Sequence, residues 1–237
     1  MAGHSKWAKI KRDKASNDAK RGAVFTKIGN QIAVAARGGA NPDTNPALAT
    51  VIETAKAANM PLNNIEKALK RAEDKSAAAV EEVIYEGYAQ GGVAVLIECA
   101  TDNRNRTFPE VKAALTKNGG TVADPGSVAY LFERKGQIVV KAQGDEAMLS
   151  ILDAGAEDAT EDGAEIYVYT DPKDLHDVRS KIKDAGLDIE SAELIYQPTN
   201  TIPVDADKSA KVQKLLDAVD EVQDVVNVHT NFEPEEG

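Results

Sequence analysis

The sequence has little that marks a secreted protein or a membrane protein. Its 237 residues include a single cysteine, so a disulfide within the chain is impossible. Cys99 lies in the apolar run 93–100, where cysteine packs as a small hydrophobic residue. That run is far shorter than the ~20 apolar residues of a membrane span. The first residues are charged and lack an apolar signal region, so we expect a protein of the reducing cytoplasm.

The sequence also lacks the usual signatures of catalysis. Its three histidines, His4, His176 and His229, are scattered, and no HExxH, CxxC, P-loop, GxGxxG or GxSxG pattern occurs. Glu98 and Asp102 are the carboxylates that would serve a hydrolase or a metal ion, but no third carboxylate or histidine stands at matching spacing. We therefore expect no catalytic residue, no metal, no cofactor and no enzyme, with a Glu98/Asp102 hydrolase as the opposing hypothesis.

Charge is abundant but unevenly divided. The net charge of −11 by itself argues against nucleic-acid binding. However, residues 1–80 hold 14 lysines and arginines against 7 carboxylates, a net of +7, and the remainder has a net of −18. Residues 1–40 hold 9 basic residues against only Asp13 and Asp18. This asymmetry indicates a polyanion-binding end, because a solubility surface explains the acidic part better than the basic part.

Two segments carry the candidate contacts. In residues 3–22 a lysine or arginine recurs almost every second or third position, beside Trp7, which can either stack on a base or pack in a core. In residues 102–107, two arginines between a strand and a helix can bind phosphate, or Asp and Asn can hold the turn while Thr107 caps the helix. The candidate nucleic-acid-binding residues are His4, Lys6, Trp7, Lys9, Lys11, Arg12, Lys14, Lys20, Arg21, Lys27, Arg104 and Arg106.

Apolar periodicity predicts an α+β protein. Phe25, Ile28, Ile32 and Ala36 share one helix face, and residues 1–78 are expected to form a basic helical bundle domain. Residues 135–197 have the ferredoxin-like order strand-helix-strand-strand-helix-strand. Strands at 82–88, 93–100 and 127–133, with a helix at 108–117, make a similar unit once residues 198–237 add a strand, a helix and a strand. The expected architecture is a bundle followed by two ferredoxin-like α/β sandwich domains, with 135–197 inserted between 79–134 and 198–237.

The chain resembles the YebC/PmpR family, which includes the mitochondrial translational activator of cytochrome oxidase. The resemblance runs nearly end to end and rests on residues 1–7 (MAGHSKW), 18–22 (DAKRG), 25–27 (FTK), 57–61 (AANMP), 64–66 (NIE), 85–88 (YEGY), 91–94 (GGVA), 101–107 (TDNRNRT), 226–228 (VNV) and 231–232 (NF). It implies a three-domain architecture. The segment Gly29-Asn30-Gln31 departs from a region that is usually charged, so we place no contact there.

The resemblance implies one of two roles in gene expression. Members are commonly labelled DNA-binding transcriptional regulators, and others look like translation factors that act on the ribosome. The charge division leans to the second role, because the −18 portion repels extended duplex DNA while a +7 domain can enter a pocket of ribosomal RNA. We expect a nucleic-acid partner (ribosomal RNA or duplex DNA), possible ribosome binding, no membrane and a monomer. The alternative is a protein-interaction or ligand-sensing module built on the two ferredoxin-like units.

Overall fold

A computed structural model of the chain describes residues 18–74 and 78–235. The first described domain is a helical bundle, and its α-helices are α1 (Asp18–Ala35), α2 (Pro46–Ala57) and α3 (Leu62–Glu73). Ile28 and Ile32 of α1, Leu48 of α2 and Ile65 of α3 meet in one buried cluster. Each apolar stripe is narrow, so the three helices are stable only when they cover one another.

Asn45 fixes the connection between α1 and α2. Its side-chain oxygen accepts a hydrogen bond from Leu48 N at 3.2 Å, and Pro46 is the first helical residue. Its amide nitrogen donates to the carbonyl oxygens of Ala35 and Gly39, both at 2.8 Å. One side chain therefore caps the start of α2 and satisfies carbonyls at the end of α1.

The remainder of the described chain alternates strands with helices. In chain order these elements are β1 (Glu81–Tyr88), β2 (Ala94–Thr101), α4 (Arg104–Lys117), β3 (Thr121–Ala123), β4 (Phe132–Lys141), α5 (Asp145–Asp153), β5 (Asp158–Asp162), β6 (Glu165–Thr170), α6 (Leu175–Asp184), β7 (Asp188–Pro198), β8 (Ile202–Val204), α7 (Ala206–Asp220), β9 (Val225–Thr230) and β10 (Phe232–Pro234).

The first sandwich combines elements from both sides of the insertion. Its antiparallel sheet has the order β3-β1-β2-β9, with the hairpin β1–β2 at the centre. Helices α4 and α7 cover one face, where Leu115 and Leu216 pack with Ile97 and Val228. On the other face, Ala33 of α1 packs near Ala100 of β2. The sheet thus lies between its own helices and the bundle.

The inserted sandwich is built from β4 to β7. Its antiparallel sheet has the order β5-β6-β4-β7, the ferredoxin-like arrangement predicted from the sequence. Ile138 and Ile166 pack against Ile151 of α5 and Ile182 of α6. The edge strands of the two sheets meet where the backbone N–H of Tyr196 donates to His229 Nδ1 at 3.3 Å. The predicted fold class, a bundle and two ferredoxin-like sandwiches with one inserted into the other, is confirmed.

Two predicted strands are displaced in the structure. The third strand of the first sheet is Thr121–Ala123, whereas residues 127–131 form a loop and a short 3₁₀ turn. That loop cannot pair as a strand because buried Glu86 accepts its backbone N–H groups, from Val128 at 2.5 Å and Ala129 at 3.0 Å. Strand β8 pairs with β10 rather than joining the main sheet. Across the described residues, every helix is too short or too polar to cross a bilayer.

Candidate nucleic-acid interface

The twelve predicted contacts fall into three groups. The largest group lies outside the described residues and consists of His4, Lys6, Trp7, Lys9, Lys11, Arg12 and Lys14. Lys20 and Arg21 follow within the first turn of α1. The structure gives the surroundings of the three others, Lys27, Arg104 and Arg106. Each of these three cations has a carboxylate partner.

Lys27 lies where the bundle meets the first sandwich. Its Nζ is 3.0 Å from Asp220 Oδ1 and also donates to the carbonyl oxygen of Asp220. Asp220 is the last residue of α7, where the helix dipole favours a cation. The Lys27 side chain is only 15% exposed. A phosphate would therefore have to displace Asp220 to reach it.

The segment 102–107 forms the start of α4. Asn103 is the cap, since its side-chain oxygen accepts a hydrogen bond from Arg106 N at 3.1 Å. The prediction that Thr107 caps the helix is wrong, because the helix begins earlier, at Arg104. Thr107 is instead buried, with its hydroxyl 2.6 Å from Asp224 Oδ2.

Asp224 is the buried anion at the centre of this segment. Its side chain is 3% exposed, and its Oδ2 receives Arg106 Nη2 at 2.7 Å and the hydroxyl of Thr101 at 3.0 Å, besides that of Thr107. Burial raises the pKa of Asp224, but the hydrogen bonds from these three groups outweigh burial and bring the pKa below its ordinary value. Arg106 therefore neutralises a charge of the fold itself.

The same segment ties the sheet to the bundle. Asp102 Oδ1 is 3.2 Å from Arg106 Nη2, and its Oδ2 is 2.6 Å from Arg71 Nη2 on α3. Arg71 also donates to Asn30 Oδ1 at 3.2 Å, and Asn30 donates to the carbonyl oxygen of Ala100 at 3.3 Å. Arg71, Asn30 and Asp224 are functional neighbours that the sequence pattern does not single out. The one available signal is Asn30, a polar residue inside a largely apolar stretch of α1.

Arg104 is the most exposed of the three described candidates. It forms a two-bonded ion pair with Glu81 of β1, with Nη2 2.8 Å from Oε2. The hydrogen bond and charge of Arg104 lower the pKa of Glu81. The arginine side chain is 58% exposed, so solvent weakens the pair and a phosphate can exchange for Glu81.

A second buried cluster joins the two sheets. Glu98 Oε2 is 2.8 Å from His229 Nε2, and its Oε1 accepts a hydrogen bond from Arg134. His229 Nδ1 accepts a hydrogen bond from Tyr196 N, so Nε2 is the ring nitrogen that faces Glu98. The Arg134 guanidinium also lies 4.5 Å from the Tyr196 ring centre. Burial raises the pKa of Glu98, but His229 and Arg134 outweigh burial and lower the pKa to about 2.

Glu98 and Asp102, the two carboxylates considered for a hydrolase or a metal ion, have different partners. Glu98 is committed to Arg134 and His229, whereas Asp102 is committed to Arg71 and Arg106. Within the residues that the structure describes, no three histidine, cysteine or carboxylate side chains are grouped so as to hold a metal ion. The polar clusters instead join one structural unit to the next.

The positive excess of the N-terminal domain is concentrated at its beginning. Residues 1–21 hold seven lysines and arginines against two carboxylates. From residue 22 to residue 74 the bundle holds six lysines and arginines and five carboxylates, so that part is nearly neutral. Its exposed charged residues are Arg37, Asp43, Lys56, Glu66, Lys67, Lys70, Arg71, Glu73 and Asp74. Most of the net positive charge of this domain therefore belongs to residues 1–21.

Comparison with known proteins identifies the family. Residues 5–75 match the model of the TACO1/YebC protein N-terminal domain, and residues 80–232 match that of the TACO1/YebC second and third domain. The chain belongs to the TACO1/YebC family. This confirms the resemblance found in the sequence.

Members of the TACO1/YebC family resemble this chain over almost their whole length. A Thermobifida fusca protein is 50% identical and a Nocardia farcinica protein 49% identical, each over 98% of this chain and 95% of the relative. Both are named probable transcriptional regulatory protein. The crystal structure of a conserved hypothetical protein from Aquifex aeolicus is 45% identical, with a TM-score of 0.87 over 93% of each chain.

Proposed function

We propose that this chain is a non-enzymatic regulator of gene expression that binds nucleic acid through its basic N-terminal domain. The observation that carries the proposal is the charge division: residues 1–80 have a net charge of +7, and the rest of the chain has −18. Lysine and arginine gain affinity for polyanions by releasing the counterions of the phosphates. The acidic sandwiches are repelled by phosphate and orient the basic end toward the nucleic acid.

We propose structured RNA on the ribosome as the target, with assistance to translation as the outcome. A long duplex brings phosphates close to both ends of the protein, whereas a pocket of folded RNA admits the basic domain and leaves the acidic sandwiches outside. Arg106, in the middle of the chain, supports this view, because it is already committed to the buried carboxylate of Asp224. It offers little to a second stretch of phosphates, whereas the exposed Arg104 can exchange Glu81 for a single phosphate.

Duplex DNA is the second candidate target. It is favoured by the name of the relatives, which are called probable transcriptional regulatory proteins. In this alternative the acidic sandwiches point away from the duplex and only the N-terminal domain touches it.

Sedimentation of a cell lysate through a sucrose gradient at low and moderate salt tests the proposal. We expect the wild-type protein to travel with ribosomes at low salt, and the triple variant Lys6→Ala, Lys9→Ala, Lys11→Ala to stay at the top. The matched control removes three exposed lysines from the sandwiches, Lys112→Ala, Lys117→Ala and Lys181→Ala, and should sediment like the wild type.

If the triple variant sediments with ribosomes as the wild type does, the basic segment is not the contact. If the wild type itself stays at the top, ribosomal RNA is not the target, and binding of a labelled DNA duplex by the purified wild type and triple variant then tests the second candidate.

A further inference from the structure

Helix α5 of the inserted sandwich presents an apolar face to solvent. Leu149 is 62% exposed and Leu152 is 43% exposed, although both belong to a helix that has a core to pack against. Ile151, which is fully buried, anchors the helix to that core. The two leucines lie three residues apart, so they are neighbours on one side of the helix. They contribute little to the fold and form an exposed pair that water solvates poorly.

The stretch of sequence that contains this pair carries negative charge alone. Asp145, Glu146 and Asp153 are exposed on the same helix, and in the described part of the chain their carboxylates have neither a hydrogen bond nor an ion pair. No lysine or arginine occurs between Lys141 and Lys173, whereas nine carboxylates do. The acidic edge strand β5 (Asp158–Asp162) follows α5 directly and packs near it. We call Asp145, Glu146, Leu149, Leu152 and Asp153 the α5 patch.

We infer that the α5 patch docks a lysine- and arginine-rich segment of another protein that also carries large apolar side chains. Opposite charge steers such a segment to the patch, and the two leucines supply the desolvated contact that charge alone does not give. Nucleic acid and anionic lipid do not fit, because their phosphates meet unpaired carboxylates. A free cation does not use the leucines. This inference is independent of the proposed nucleic-acid contact, because that contact lies in the basic N-terminal domain and the α5 patch lies in the acidic inserted sandwich.

Binding of a designed peptide to the full-length protein tests the inference. The probe is a fluorescein-labelled amphipathic peptide of lysine, leucine and alanine. The control peptide has the same sequence with serine in place of each leucine. Fluorescence anisotropy measures both against the wild type and against the double variant Leu149→Ser, Leu152→Ser. The control is Leu62→Ser, which removes an equally exposed leucine (68%) from the helical bundle. Because the replaced side chains are exposed, thermal unfolding followed by circular dichroism should be unchanged.

We expect the leucine peptide to bind at least tenfold more weakly to the double variant, and to bind the Leu62→Ser control as it binds the wild type. The inference would be overturned if the serine peptide bound the wild type as tightly as the leucine peptide does, since that would show a general attraction between charges. It would also be overturned if the Leu62→Ser control lost as much affinity as the double variant. Light scattering of the wild type and the double variant measures their oligomeric state and so tests whether a second copy of this chain occupies the patch. A dimer that the double variant converts to a monomer would mean that a second copy of this chain covers the patch.

Discussion

At the scale of single residues, Asp224 is the charge on which the start of α4 depends. It is 3% exposed and accepts hydrogen bonds from Arg106, Thr101 and Thr107. Because hydrogen bonds to a charged group are worth roughly 1.5–3 kcal/mol each, Asp224→Ala should lower the free energy of unfolding by at least about 2 kcal/mol. Urea denaturation measures the change. The control Glu81→Gln removes a solvent-exposed partner of Arg104 and should leave the midpoint nearly unchanged.

Glu98 gives the fold a specific sensitivity to acid. Its pKa falls from 4.5 to about 2 on folding, so its contribution is fully present above pH 4.5 and is lost as the pH falls toward 2. A shift of this size corresponds to about 3 kcal/mol. Urea denaturation at a series of pH values from 7 to 3 should show stability falling below pH 4.5, with a shallower fall in Glu98→Gln. The same slope in both proteins would assign the acid sensitivity to other carboxylates.

Residue chemistry could be predicted from the sequence, but residue partners could not. Arg104 and Arg106 stood out because two arginines follow an apolar strand, and the structure places both at one helix start. Their anions lie far away in the chain: Arg106 pairs with Asp224 across 118 positions. A single sequence contains no signal for such a pair. The sequence alone therefore leaves both the phosphate-binding and the structural interpretation of this segment open.

At the scale of secondary-structure elements, the close approach of β4 and α6 requires a glycine. A Cβ added at Gly136 would lie 2.3 Å from Thr170 Oγ1 and 2.9 Å from Leu175 Cβ. Gly136→Ala should therefore destabilise the protein by about 1–3 kcal/mol. Gly22, inside α1, has nothing within 4 Å of the same position, so Gly22→Ala should raise stability by up to about 1 kcal/mol. Urea unfolding of both variants tests these opposite signs, and a loss of stability in both would contradict the packing argument.

Elements with strong local patterns were predictable, and elements fixed by distant contacts were not. The apolar spacing of Ile28 and Ile32 predicted the helix α1 that buries them. The alternation of predicted strands and helices from residue 136 to residue 196 predicted the ferredoxin-like unit. The segment 127–133 has strand-forming composition, yet Glu86 holds part of it as a loop, with Val128 N 2.5 Å from its Oε2. That carboxylate is 42 positions away. Local propensity there yields to a long-range contact.

At the scale of the whole molecule, ion pairs hold the bundle against both sandwiches. Lys27 pairs with Asp220 and Arg71 with Asp102 at the first sandwich. Glu53 of α2 pairs with Arg179 of α6 at the inserted one. The described bundle therefore uses part of its positive charge internally. Its remaining exposed charges nearly cancel, which leaves residues 1–21 as the source of the excess that would face a polyanion.

The salt dependence of binding measures how many of those charges meet phosphate. Each phosphate neutralised contributes about 0.7–0.9 to the slope of log K against log salt. The triple variant Lys6→Ala, Lys9→Ala, Lys11→Ala should therefore lower the slope by roughly 2–3, besides weakening the binding itself. The measurement is the affinity of purified ribosomes for the labelled protein over a salt series. The Lys112→Ala, Lys117→Ala, Lys181→Ala protein should keep the wild-type slope, since those lysines lie on the acidic sandwiches. Equal slopes for the triple variant and the wild type would mean that the first basic residues do not touch phosphate, and the polyanion contact would then have to be sought among the few exposed cations of the bundle helices.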